Sequence, residues 1–170
     1  MKKFLIVPVI ALLALAVLFL SGCGALRQTP EERQRTAELV GQRLDARDYR
    51  IDIDYMIPLR GGGRAVSGSY SVRVEGTAVD SHLPYAGVAR SVPYGGGKVL
   101  TFEDDIDKYE DTGWRNGQRE VVLATDNDED IIVYTITVFD DGHADIHVHC
   151  QNRDDISYRG TVSTREETEE

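Results

Sequence analysis

Three histidines and an aspartate alternate along one short segment, at His143, Asp145, His147 and His149. In a β-strand, residues two apart share one face and lie about 6 to 7 Å from each other. Two such imidazoles can bind one zinc ion if a third or fourth ligand comes from an adjacent strand. The adjacent strand predicted below has only threonine and valine opposite them. The pattern therefore indicates a solvated polar face, with a metal site at His143, His147 and His149 as the alternative.

Two tyrosines follow prolines in predicted loops, Tyr85 and Tyr94, and a run of three glycines, Gly95, Gly96 and Gly97, comes next. Loops at the mouth of a small barrel often contact ligands, so these five residues are candidate binding loops. A glycine run before Lys98 is also found in phosphate-binding loops. Here the first glycine and the serine or threonine of that motif are missing, and a strand follows, which excludes nucleotide binding.

A set of residues for covalent or acid–base catalysis is not recognisable in the chain. There is no serine–histidine–aspartate motif, and Cys150 falls on the apolar face of its predicted strand, where a thiol is inert. The acidic run from Asp126 to Asp130 resembles the start of a calcium loop, but Ile131 replaces the glycine that the turn requires. We therefore expect a protein that is not an enzyme and has no cofactor.

The first 23 residues combine two lysines, a long apolar run and the quartet Leu20-Ser21-Gly22-Cys23. This arrangement resembles a bacterial lipoprotein signal peptide. It predicts a leader over residues 1–22, cleavage before Cys23, acylation of Cys23 with palmitate-like chains, and a tether over residues 23–28. Gly24 replaces the aspartate that retains lipoproteins in the inner membrane, which favours the outer membrane. An uncleaved transmembrane helix is the alternative, but the apolar run is at the short limit for a membrane span.

The rest of the chain has the size and charge of one acidic domain. The whole sequence has 170 residues and a net charge of −10, so nucleic acid is excluded as a partner because phosphates require a basic face. The expected contacts are the membrane, through the lipid on Cys23, and an unknown small molecule or envelope protein. The domain would face the periplasm or the cell surface.

One helix followed by strands is predicted downstream of the tether. Thr29-Pro30-Glu31-Glu32 has the pattern of a capping box with proline at the first helical position, and the helix should run to about Ala46. From Tyr49 onward the apolar period changes from 3.6 to 2. About eight antiparallel strands are predicted, near residues 49–55, 70–75, 79–83, 99–102, 120–125, 131–139, 144–150 and 156–162. This spacing is typical of a mainly β fold, a small barrel or sandwich over residues 29–163, before an acidic, disordered tail over residues 164–170.

The hairpin around Asp140-Asp141-Gly142 can be predicted to the residue. A three-residue loop, with Gly142 in the left-handed bulge position, pairs Val138 with Ala144, Ile136 with Ile146, and Tyr134 with Val148. All six side chains then share one apolar face. Threonine and valine on the first strand meet Asp145, His147 and His149 on the other face, toward water.

Several segments together resemble a known family. They include Leu83-Pro84-Tyr85-Ala86-Gly87-Val88-Ala89, Ser91-Val92-Pro93-Tyr94-Gly95-Gly96-Gly97, Ile136-Thr137-Val138-Phe139 and Gln151-Asn152-Arg153. The resemblance is to a bacterial lipoprotein family catalogued as domain of unknown function 4251, and it covers roughly residues 35–162. It implies an antiparallel, lipocalin-like barrel with one N-terminal helix, in the envelope of Gram-negative cells. It implies no catalytic residue.

Overall fold

The computed structural model describes residues 29–88, 100–127 and 130–164. The chain forms two compact units, Met1–Glu32 and Arg33–Glu170. In the first unit, the Thr29 N–H donates to the Glu32 carboxylate at 2.8 Å, and the Glu32 N–H donates to the Thr29 hydroxyl at 3.2 Å. This reciprocal pair confirms the predicted capping box. The predicted leader, Cys23, the tether and residues 165–170 of the tail lie outside the described residues.

Helix α1 comprises Pro30–Ala46, as the sequence predicts. It ends because Arg47 adopts a positive φ of 51°, a left-handed conformation that cannot continue a right-handed helix. Its buried side consists of Val40, Gly41 and Leu44, whereas Leu39 on the other side is exposed. No helix in the described ranges is long and apolar enough to cross a bilayer.

Among the residues that the structure describes, ten strands follow the helix and form one antiparallel sheet. Their bounds are β1 Asp48–Pro58, β2 Arg64–Ala65, β3 Ser71–Glu75, β4 Ala78–His82, β5 Thr101–Asp105, β6 Lys108–Arg115, β7 Gln118–Asn127, β8 Asp130–Phe139, β9 His143–Cys150 and β10 Ile156–Val162. Nine of them follow the order β5-β4-β3-β1-β10-β9-β8-β7-β6, and β2 pairs with β1 beside this path. The sheet curls into a half-barrel of nine strands.

The apolar core lies on the inner side of this curled sheet. Alternation along each strand turns one set of side chains inward, and Ile136, Ile146 and Tyr134 are at most 1% exposed. The β8–β9 hairpin has the predicted register, with Val138 opposite Ala144 and Ile136 opposite Ile146. Gly142 has a φ of 87°, the left-handed conformation that the three-residue loop requires.

One strand differs from its predicted alternation. The sequence predicts Tyr49, Ile51, Ile53 and Tyr55 on one face, but a β-bulge lies between Ile53 and Tyr55. Because the bulge adds one residue, the inward position that follows Ile53 is Met56 instead of Tyr55. Tyr55 therefore faces outward. The bulge also brings the Asp52 carbonyl against Gly160 of β10, where a Cβ would lie 2.2 Å from that oxygen. Glycine at position 160 is therefore required by a close approach of two backbones.

Strand count and closure also differ from the prediction of about eight strands in a barrel. Strands β2 and β6 were not predicted from the sequence. Strand β2 has only two residues, and most of β6 is exposed on both faces, so neither shows a clear apolar alternation. Strands β5 and β6 end the path of the sheet, which leaves it a half-barrel. The mainly β fold with one N-terminal helix is confirmed.

Candidate functional site

A groove lies on the outer face of four adjacent strands, β1, β10, β9 and β8. It has a volume of about 270 Å³. Two rows of laterally paired residues line it. One row joins Thr137, Asp145 and Arg159, and the other joins Thr135, His147, Ser157 and Ile57. We call this feature the outer groove.

Strand periodicity explains why these residues face outward. Ile136, Ile146 and Tyr158 point into the core, so their neighbours along β8, β9 and β10 point away from it. The bulge in β1 then adds Tyr55 and Ile57 to the same outer face. Sequence reasoning predicted the contribution of β8 and β9, since it placed threonine opposite Asp145 and His147. It missed β1 and β10, because no local pattern reports which distant strands become neighbours.

The side chains of the outer groove are held by weak, exposed contacts. The Ser157 hydroxyl lies 3.0 Å from His147 Nδ1. Arg159 Nε lies 3.5 Å from Asp145 Oδ1, and these two side chains are 62% and 55% exposed. The Arg159 guanidinium also lies over the Tyr55 ring, 5.9 Å from its centroid. Ion pairs this exposed contribute about 0–1 kcal/mol, so both charged groups can turn toward a bound molecule at small cost.

Ser157, His147 and Asp155 have the residue types of a catalytic triad, with the histidine between the other two, but their distances do not fit one. Asp155 Oδ2 lies 3.6 Å from His147 Nε2, beyond hydrogen-bond length. Asp155 Oδ1 instead lies 2.8 Å from Nδ1 of His149. In a triad the carboxylate orients the imidazole that activates the nucleophile. Here it orients the other histidine, which favours binding chemistry over acyl transfer.

The three histidines of the metal hypothesis occupy different surroundings. His147 and His149 both approach Asp155, whereas His143 lies at the start of β9 with its Nδ1 3.2 Å from Asp141. Over residues 29–88, 100–127 and 130–164, no group of three or more histidine, cysteine or acidic residues is arranged to hold a metal ion. The metal hypothesis therefore gains no support from the geometry.

Tyr85, a predicted binding residue, holds its loop against the β9–β10 turn. Its hydroxyl donates a hydrogen bond to the Asp154 carbonyl at 2.9 Å, and the Val88 N–H donates to the Asp154 carboxylate at 3.2 Å. Burial raises the pKa of the Tyr85 hydroxyl above its usual value. The other predicted loop residues, Tyr94 and Gly95 to Gly97, lie outside the described residues.

Three polar side chains of the interior form hydrogen bonds with other groups of the protein. The Tyr134 hydroxyl donates to the Ser81 hydroxyl at 2.9 Å, and Ser81 donates to the Leu100 carbonyl at 3.0 Å. Tyr158 donates to the Pro84 carbonyl at 2.7 Å. Cys150 is buried on this inner side, as predicted, and burial raises the pKa of its thiol to about 12, so it stays protonated and unreactive.

Sequence reasoning missed a buried cation beside the helix. Arg119 of β7 is 6% exposed, and its guanidinium binds two carboxylates. Its Nη1 lies 2.7 Å from Asp45 of α1, and its Nε lies 2.9 Å from Asp111 of β6, to which Nη2 also donates. This arginine therefore joins α1, β6 and β7, and it is fully engaged in the fold.

The family profile described as "Domain of unknown function (DUF4251)" matches residues 31–162. The chain belongs to the DUF4251 family. A crystal structure of a DUF4251 family protein from Bacteroides eggerthii is similar to this chain with a TM-score of 0.56 at 14% sequence identity. The likeness covers 76% of this chain and 87% of that chain, and at this identity it establishes the fold alone. No curated protein matches the chain.

Proposed function

We propose that this DUF4251 protein is a cell-envelope lipoprotein, held on the outer membrane by acyl chains on Cys23, which binds a ligand or partner and catalyses no reaction. The outer groove is the observation that carries the proposal. It gathers polar side chains from β8, β9 and β10 in a concavity, and convergent polar groups in a concave site are typical of ligand binding. The leader sequence supports the location.

The packing of the interior supports binding at the outside of the sheet. A cavity large enough for a ligand would leave accessible surface on the side chains that line it. Tyr134, Ile136 and Val148 are each 0% exposed, and Ile146 is 1% exposed. These central inward positions are filled by the protein's own side chains, unlike those of a lipid-carrying barrel.

The contacts in and beside the outer groove support binding without catalysis. The carboxylate nearest to His147 is bound to His149, so the imidazole beside Ser157 has no orienting acid. Cys150, the other nucleophile considered, is buried and held as the neutral thiol. An activated nucleophile requires a lowered pKa or an adjacent base that a third group orients. Among the described residues, Ser157 has His147 beside it but no acid within hydrogen-bond distance of that imidazole, and Cys150 has a raised pKa.

Cross-linking in intact cells tests the binding function. A photoreactive amino acid replaces Thr137 in the outer groove, and the same amino acid replaces Asp80, exposed on the outer face of β4, as the matched control. We expect an adduct, identified by mass spectrometry, at position 137 and none of that kind at position 80. Equal labelling at both positions, or none at position 137, would contradict the assignment of the groove.

Metabolic labelling tests the anchor. Cells fed a clickable palmitate analogue should label the wild-type chain, and Cys23→Ser should abolish the label and release the protein from the outer-membrane fraction. Retention of the label in Cys23→Ser would refute lipidation at this residue.

A structural role in docking another envelope component is the second candidate, and the open ends of the sheet favour it. Within the described strands, β5 and β6 each pair along one side only. A free strand edge can accept a strand from a partner. A photoreactive residue at Glu110 of β6 would then capture one defined protein, while the residue at position 137 captures none.

A further inference from the structure

The outer groove combines several side chains that both donate and accept hydrogen bonds. Thr135, Thr137 and Ser157 contribute hydroxyls, and a hydroxyl donates one hydrogen bond and accepts others. His147 adds two ring nitrogens, of which Nδ1 lies 3.0 Å from the Ser157 hydroxyl. Such an array matches a ligand whose own groups are hydroxyls, because each partner can adopt either role.

The charges of the groove cancel each other. Asp145 and Arg159 lie side by side, 3.5 Å apart, and they are the acid and the base among the lining residues. A charged ligand would find one attractive and one repulsive group. The net charge of −10 on the whole chain further disfavours anions. The groove is therefore suited to a neutral molecule.

One side of the groove is apolar. Ile57 of β1 is half-buried and lines the groove, and Tyr55, two residues before it on the same face, has its ring 5.9 Å from the Arg159 guanidinium. A ligand with a C–H face and a hydroxyl edge would place its C–H face against Ile57 and its hydroxyl edge against β8 and β9. The volume of about 270 Å³ is just below the roughly 300 Å³ at which drug-sized sites begin. It suits one small unit.

We infer that the outer groove binds a small neutral polyhydroxyl ligand, a sugar unit, through Thr135, His147, Ser157 and Arg159. This inference rests on the proposed binding function and names the ligand class for the same site. The hydroxyls of the sugar would bond to the threonine and serine hydroxyls and to the imidazole. Arg159 and Asp145 would each turn from their ion pair toward the ring edge.

Ligand-observed saturation-transfer NMR on the full-length protein in detergent tests this inference. The probes are glucose, galactose, N-acetylglucosamine and maltose at about 10 mM, above the millimolar Kd of a weak site. Glucuronate and glucosamine serve as charged probes with the same ring as glucose. We expect saturation transfer to at least one neutral sugar, and a Kd several-fold weaker for its charged analogue.

Variants locate the signal. Ser157→Ala should weaken the neutral sugar about 3- to 10-fold, and Arg159→Met about tenfold or more, because it removes a charged donor. His143→Ala, on the same strand but outside the groove, is the matched control and should leave the Kd unchanged. Thr135→Val is a second groove variant with nearly unchanged shape, for use if another variant fails to fold.

Each contrary result has a distinct meaning. Tighter binding of glucuronate or glucosamine, lost in the groove variants, would overturn the neutral class and retain the proposed binding function. A sugar signal that Ser157→Ala and Arg159→Met do not change, or no signal with any sugar, would overturn the inference. The proposed binding function would then be decided separately, by the cross-linking at position 137.

Discussion

Gly160 has no room for a side chain, because the Asp52 carbonyl lies against it at the bulge of β1. An alanine Cβ there would lie 2.2 Å from that oxygen, and backbone cannot move aside as a side chain does. We expect Gly160→Ala to lower the free energy of unfolding by about 2 kcal/mol or more. Urea denaturation followed by circular dichroism measures it.

The matched control is Gly62→Ala. A Cβ at Gly62 meets nothing within 4 Å, so this change should be neutral or slightly stabilising. Equal midpoints for the two variants would show that β1 and β10 separate easily at the bulge.

A second residue-scale prediction concerns the buried ion pair between Asp130 and Arg153. Their side chains are 2% and 5% exposed, and the charged atoms lie 3.3 Å apart. Arg153→Met leaves a buried carboxylate without its cation, so we expect it to cost about 3–5 kcal/mol of unfolding free energy. Adding Asp130→Asn removes that charge while retaining an oxygen for the Asn152 N–H, and stability should largely return.

The exposed pair of Arg159 and Asp145 is the comparison for this test. Arg159→Met should cost less than about 1 kcal/mol in the same urea titration. If Arg153→Met is as mild as Arg159→Met, the Asp130 carboxylate must reach water.

At the scale of single residues, the sequence predicted which side chains face outward but not which charges are buried. His147 and Asp145 were placed correctly because period-2 alternation is local. Arg119 shares the inward phase of Val121 and Leu123 on β7, and Arg153 lies in the turn between β9 and β10, and a charged side chain is normally expected to reach water. The burial of Arg119 depends on Asp45 of α1 and that of Arg153 on Asp130 of β8, and both partners are distant in sequence.

Among the elements, α1 and β6 depend on one another through Arg119. Burial alone would raise the pKa of Asp111, but hydrogen bonds from Arg119 and from the Gly113 N–H hold that pKa below its usual value. A carboxyl with a lowered folded-state pKa stabilises the fold above its unfolded pKa of about 3.9, and this contribution is lost as the pH falls through the folded value.

Asp111→Asn tests this pH dependence. The variant should be less stable than the wild type at about pH 7, and the difference should shrink as the pH falls below about 4, since the wild-type carboxyl is then protonated. Urea midpoints at both pH values measure it. Glu110→Gln, on the same strand and 60% exposed, is the control for losing one negative charge and should stay within about 0.5 kcal/mol. If the difference in stability between Asp111→Asn and the wild type were the same at both pH values, the role of the Asp111 charge would be contradicted.

Elements with a strong local pattern were predicted from the sequence, and those without one were missed. The capping box located the start of α1, and apolar alternation on both sides of Gly142 determined the β8–β9 register. Strand β6 was missed because it is exposed on both faces, so its residues show little alternation. A signal was present, since Asn116-Gly117 has the composition of a two-residue hairpin turn and joins β6 to β7.

For the molecule as a whole, the resemblance to lipocalin-like barrels leaves open whether the interior holds a ligand, and the packing argues against it. Ile136 is 0% exposed at the centre of the inner face. In a filled interior Ile136→Ala leaves a void, so we expect a loss of about 2–5 kcal/mol in unfolding free energy. Thr137→Ala, one position along on the outer face, should cost less than about 1 kcal/mol in the same denaturation experiment. A cost below about 1 kcal/mol for Ile136→Ala would indicate a space that already exists.

The bulge in β1 also has a consequence for comparing relatives of this chain. Asp54 is the residue that β1 has in excess of β10 between Ile53 and Tyr55, so it occupies a position without a counterpart in the ladder. A relative that lacks it must align with a one-residue gap there. Relative to β1 of this chain, the apolar positions of that relative would be unchanged before the gap and displaced by one residue after it. The inside and the outside of β1 can therefore be recognised in a distant sequence by this change of phase.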